Sequence, residues 1–105
     1  MILGLRTDSY DAELYIYEGN NVLETKKWNP GRELSVQLLD EIRAINEKSG
    51  STIHDLQGVV VYEGPGSFTG LRIGVSVANA LGYGLQVPVV SETGDDWLDK
   101  GLKRL

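Results

Sequence analysis

Three glycines, one proline and two hydroxyls fall within seven residues, Gly64-Pro65-Gly66-Ser67-Phe68-Thr69-Gly70. A glycine-rich turn between a strand and a helix gathers free backbone N–H groups at the positive end of a helix dipole, which is chemistry suited to a phosphate or another anion. The same glycines equally serve a sharp turn with close backbone approach, with Pro65 fixing φ beside them. It is not a Walker A loop, since no lysine follows Gly70, and not a nucleophile elbow, since Phe68 stands at the centre of Gly66 to Gly70. A second polar group, Thr7-Asp8-Ser9-Tyr10-Asp11, could face a phosphate or a metal, although any solvated hairpin turn shows the same composition. Thr7, Asp8, Gly64, Gly66 and Ser67 are thus the candidate anion or nucleotide contacts.

Few other residues offer chemistry. The chain has no cysteine, which excludes a disulfide frame, a thiolate metal site and a cysteine nucleophile. His54, the only histidine, lies in the polar connection Ser51-Thr52-Ile53-His54-Asp55 and receives no role as ligand or base. The hydroxyls near Gly64 to Gly70 have no local base, so no catalytic residue and no metal ligand is assigned. The formal net charge is −5 and the sequence pI is near 4.7. Only Lys26-Lys27 and the terminal Lys100, Lys103 and Arg104 stand out as basic, too few for a stripe that neutralises nucleic-acid phosphates. Met1 to Arg6 shows no basic segment before an apolar core and no cleavage site, so the expected location is the cytoplasm.

The elements that must position these residues are legible from pattern. One hundred and five residues, 41% of them hydrophobic, predict a single domain over 1–105. Met1 to Leu5, Leu14 to Tyr17 and Val22 to Trp28 read as strands joined by turns at Thr7–Asp11 and Glu18–Asn21, an antiparallel meander. Asn29-Pro30-Gly31 ends it, and Leu34, Leu38, Ile42 and Ile45, widened by Val36 and Leu39, predict an amphipathic helix over Arg32 to Lys48. Leu56 to Tyr62 is a buried strand, Leu71 to Leu85 a helix with Ser67 as its N-cap, Val87 to Val90 a strand, and Trp97 to Leu105 a last helix capped by Asp95-Asp96. The order β-β-β-α-β-α-β-α, a meander followed by βαβα, predicts an α/β fold with a mixed sheet.

The helix after the glycine-rich turn is read as carrying two adjoining rows of small residues spaced four apart: Gly70, Gly74, Ala78 and Gly82, and Ser76, Ala80 and Gly84. Such ridges admit another backbone unusually near. With Leu71, Ile73, Val75, Val77, Leu81 and Leu85 around the rest, this helix is small or apolar nearly all round and needs cover on more than one side. A partner subunit is the expected cover. Ile73 to Val90 carries no formal charge, but Asn79, Gln86, Pro88 and three glycines oppose a membrane span.

The eleven residues Gly64-Pro65-Gly66-Ser67-Phe68-Thr69-Gly70-Leu71-Arg72-Ile73-Gly74, followed by the small-residue helix and Val87-Pro88-Val89-Val90, resemble the TsaB (YeaZ) family of bacterial threonylcarbamoyladenosine tRNA modification. The likeness runs from Met1 to about Val90. It implies one actin-like, ribonuclease-H-like (ASKHA) lobe, a degenerate relative of the catalytic TsaD. It also implies pairing with a TsaD-like subunit, or with itself, through the first two helices. In the assembled complex a TsaE-like ATPase takes part, ATP or ADP can be bound, and A37 of tRNA is met only indirectly. On that likeness the interface residues are Leu34, Leu38, Ile42, Gly70, Leu71, Gly74, Val75, Ala78, Leu81 and Gly82. Ala78→Trp is then expected to abolish partner co-purification while leaving the fold intact.

Three departures qualify the resemblance. Arg6 stands in Leu5-Arg6-Thr7-Asp8-Ser9 where the family usually has an acid, and Leu34 stands where its first helix usually has a histidine. The family's second lobe is absent from this sequence, so a cleft between two lobes is not completed by one chain. Two functions of different class follow: a non-catalytic subunit that supports TsaD through helix packing, or a nucleotide-binding half-enzyme that pairs with itself and uses Gly64 to Gly70 and Asp8.

Overall fold

The computed structural model describes residues 1–105. Five strands form one mixed sheet: β1 (Ile2–Arg6), β2 (Ala12–Glu18), β3 (Asn21–Trp28), β4 (Gly58–Tyr62) and β5 (Val89–Glu92). Their order is β3-β2-β1-β4-β5, with β1–β2 and β2–β3 antiparallel and β1–β4 and β4–β5 parallel. Three helices complete the fold: α1 (Leu34–Lys48), α2 (Phe68–Leu85) and α3 (Trp97–Arg104). The meander followed by βαβα is as the sequence predicts.

Both faces of the central strands are covered, as the unbroken run Gly58 to Tyr62 requires. On one face Leu3, Leu5, Leu14, Ile16, Val59 and Val61 meet Leu34, Leu38, Ile42 and Ile45 of α1 and Ala78 and Leu81 of α2. On the other, Val60 and Tyr62 meet Trp97 of α3. Trp97 lies edge-on to Tyr15 and Tyr62, at centroid distances of 6.1 and 5.9 Å. Gly4 and Gly101 let α3 close in: a Cβ on Gly4 would stand 2.6 Å from Leu98 Cδ1, and one on Gly101 2.1 Å from Val60 Cγ1.

Several boundaries differ from expectation. α2 starts at Phe68 rather than Leu71, because the turn before it is fixed by tertiary contacts described below. β5 starts at Val89 rather than Val87: the Val87 N–H donates to Gly82 O at 3.0 Å, and Pro88 offers only its carbonyl, accepting from Val59 N at 3.0 Å. Leu56 and Gln57 precede β4, after a 3₁₀ turn over Ile53–Asp55. That turn is held by a reciprocal cap in which Thr52 Oγ1 accepts from His54 N and Asp55 accepts from Thr52 N. His54 is exposed within it.

Candidate docking face and the closed turn beside it

The carboxyl end of β1 and the turn after β4 meet where α2 begins. Gly66, Gly70 and Gly74 are glycine because the β1–β2 turn presses on them. A Cβ there would lie 2.4 Å from Asp8 Cβ, 2.0 Å from Thr7 O and 2.3 Å from Thr7 Oγ1, respectively. Hydrogen bonds fasten the contact: Thr7 Oγ1 donates to Gly70 O at 2.7 Å, Ser67 N to Asp8 O at 2.9 Å, and the Tyr62 hydroxyl to Pro65 O at 2.7 Å.

Arg6 completes the clasp. Its guanidinium donates twice to the Asp8 carboxylate, Nε to Oδ1 at 2.7 Å and Nη2 to Oδ2 at 3.3 Å, and lies 3.9 Å from the centroid of the Tyr62 ring. A two-pronged, partly buried pair of this kind is stronger than an exposed one. The Asp8 hydrogen bond raises the Arg6 pKa against the opposing effect of burial. The turn holding Thr7 and Asp8 and the turn holding Gly64, Gly66 and Ser67 are therefore in contact. Yet the Thr7 hydroxyl and the Asp8 carboxylate bind this chain's own groups. Ser67 stands at the N-cap, but its side chain makes no capping bond. It lines a cavity of about 660 Å³ shared with Tyr10, Asn29, Arg32 and Thr69.

The second site is the outer surface of the two long helices. α1 turns Val36 and Leu39 outward, 69% and 39% exposed, and α2 turns out Tyr83, 90% exposed. Ser76, Ala80 and Gly84 are exposed as well. Between the helices runs a groove of about 310 Å³ lined by Ser35, Thr69, Arg72, Ile73, Ser76 and Val77.

The structure moves most of the interface residues suggested by the resemblance. Leu34, Leu38 and Ile42, with Ala78 and Leu81, are buried in the chain's own core. Gly74 packs on Thr7, and Gly82 on Val89, where an added Cβ would stand 2.3 Å from Cγ2. Gly70, Leu71 and Val75 keep only part of their surface. The reason is geometric. Ser76 lies two residues, about 200° of helix, from both Gly74 and Ala78, so the two small-residue rows face opposite ways. The row from Gly70 to Gly82 receives the sheet, and the row from Ser76 to Gly84 is left outside. Val36 and Leu39 belong to that outer surface rather than to the core.

The fold is a single actin-like, ribonuclease-H-like lobe, and its likeness to solved structures bears this out. YeaZ from Pseudomonas aeruginosa superposes with a TM-score of 0.80 at 24% identity, covering 88% of this chain and 43% of that one. Thermus thermophilus RuvC gives 0.56 at 13% identity, over 88% and 63%. A family model described as TsaD, tRNA N6-adenosine threonylcarbamoyltransferase, matches residues 28–92. The chain belongs to that family. Among curated relatives, it is 33% identical over 73 residues to the tRNA threonylcarbamoyladenosine biosynthesis protein TsaB of Escherichia coli (strain K12), covering 60% of this chain. It is 28% identical over 88 residues to TsaB of Bacillus subtilis (strain 168), covering 84%. The chain spans 32% and 38% of the length of those two relatives.

Proposed function

We propose that this chain is a non-catalytic TsaB-like subunit that supports a TsaD-like subunit in threonylcarbamoyladenosine modification of tRNA at A37. The observation that carries this reading is the outer surface of α1 and α2, where Val36, Leu39 and Tyr83 stand exposed beside a row of small residues. The likeness to relatives named for threonylcarbamoyladenosine biosynthesis supports the process. The mutual engagement of Arg6, Thr7, Asp8 and Gly70 supports the non-catalytic part, because the groups that could face a substrate anion hold one another.

The mechanism is binding. Two helices of a partner pack on α1 and α2, and the row Ser76, Ala80, Gly84 lets backbones approach within the range of close helix pairs. Apolar burial contributes roughly 25 cal/mol per Å² before association costs. A TsaE-like ATPase acts on the assembled complex, ATP or ADP is bound there rather than by this chain, and tRNA is met through the partner. Without a TsaD-like subunit, two copies of this chain pair through the same face.

The test is Ala80→Trp in the full chain, with affinity for the TsaD-type subunit of the same organism measured by calorimetry. The variant should keep its circular dichroism and lose at least tenfold in affinity. Unchanged affinity would remove the docking reading.

A further inference from the structure

Arg6 is not explained by the docking face, which it does not touch, nor by substrate chemistry, since its guanidinium is occupied by Asp8. Its neighbours form an unbroken path to that face. Arg6 holds the Asp8 side chain and lies against Tyr62, whose hydroxyl binds Pro65 O. Asp8 O accepts from Ser67 N. Thr7, between Arg6 and Asp8, holds Gly70 O from a position 2% exposed. Ser67 is the N-cap of α2 and Phe68 to Gly70 open its first turn, and Thr69 and Arg72 line the groove between α1 and α2.

We propose that Arg6 is a positioning residue: gripped between the Asp8 carboxylate and the Tyr62 ring, it fixes the start of α2, and so one end of the docking groove, without any bound ligand. The inference rests on the docking reading above. A turn crowded with glycine has many conformations open to it, and a face that is competent for only part of the time binds more weakly by that fraction. Arg6 removes this loss through its two partners: Asp8, whose carbonyl accepts from Ser67 N, and Tyr62, whose hydroxyl donates to Pro65 O. Lysine could keep the charge but not the double hydrogen bond to Asp8.

The experiment uses the full chain with Arg6→Ala, Arg6→Lys and Ala80→Trp, reading affinity for the TsaD-type subunit and amide exchange of the free chain. Arg6→Ala should weaken binding about tenfold, the loss expected if the competent fraction falls to a tenth. Arg6→Lys should fall between it and the parent. Exchange should quicken at Ser67 to Arg72 and stay unchanged in β1 and β4, a pattern that general destabilisation would not give. Should Arg6→Ala not fold, Arg6→Lys carries the same two readouts. Parental affinity in the Arg6 variants with weakened Ala80→Trp would overturn the positioning role and leave docking intact. Parental affinity in all three would overturn docking itself.

Discussion

Ala78 and Ala80 are two residues apart on one helix, with the same side chain and opposite surroundings. Ala78 is fully buried against the sheet, so Ala78→Trp must displace core side chains and should cost several kcal/mol, at or above the usual 1–3 kcal/mol of overpacking. The expectation that it would spare the fold while breaking an interface is thereby corrected. Thermal melting checks this: a fall of roughly 10 °C or more in Ala78→Trp, against little change in Ala80→Trp. The two-residue step already places them on opposite sides of the helix rather than on adjoining rows, but a spacing of four does not say which row the sheet receives. Gly70 and Gly74 share the row of Ala78, which the spacing offers to another backbone, and the group that approaches them is Thr7 of the same chain, with Asp8 set against Gly66. Arg6 stands out as an odd residue at its position, and its partner Asp8 is only two residues away, but the Tyr62 ring that completes the grip comes from β4 and leaves no local signature.

At the scale of elements, the strands and helices were legible where pattern is local. Short apolar runs joined by polar turns gave the meander, the buried run Leu56 to Tyr62 gave β4, and the stripe from Leu34 to Ile45 gave α1. What was not legible was the division of each helix between its own sheet and the outside, which tertiary placement decides. α3 was foreseen, but not that Trp97 would join two tyrosines beneath it. Trp97→Ala should cost about 3–5 kcal/mol, read as a lower urea midpoint. The same face carries a pH dependence. Burial raises the phenols of Tyr15 and Tyr17 above their ordinary 10.0, and Tyr15 is raised further by its hydrogen bond to Glu13. Their folded-state preference for the neutral form is fully present below pH 10 and lost as pH rises through the folded values. Urea midpoints should therefore fall above pH 10, and fall less in Tyr15→Phe; an equal fall in both would refute the assignment.

At the scale of the whole molecule, a radius of gyration of 12.2 Å is close to the roughly 13 Å of a compact chain of this size, so one lobe forms one body. No helix is long and apolar enough to cross a membrane. With a net charge of −5, two copies repel at long range, and salt screens that repulsion while leaving apolar burial in place. Self-association followed by sedimentation should therefore hold or strengthen between 0.1 and 1 M salt, on the order of the screening change expected there. A contact dominated by ion pairs would weaken instead. Hydrogen–deuterium exchange of the chain, alone and with a TsaD-type subunit, locates the contact directly. Protection should appear at Ser35 to Arg43 of α1 and Arg72 to Gly84 of α2, with β3 and α3 unchanged. Protection confined to β3, α3 or the β1–β2 turn, with none on the outer helices, would contradict docking through that face.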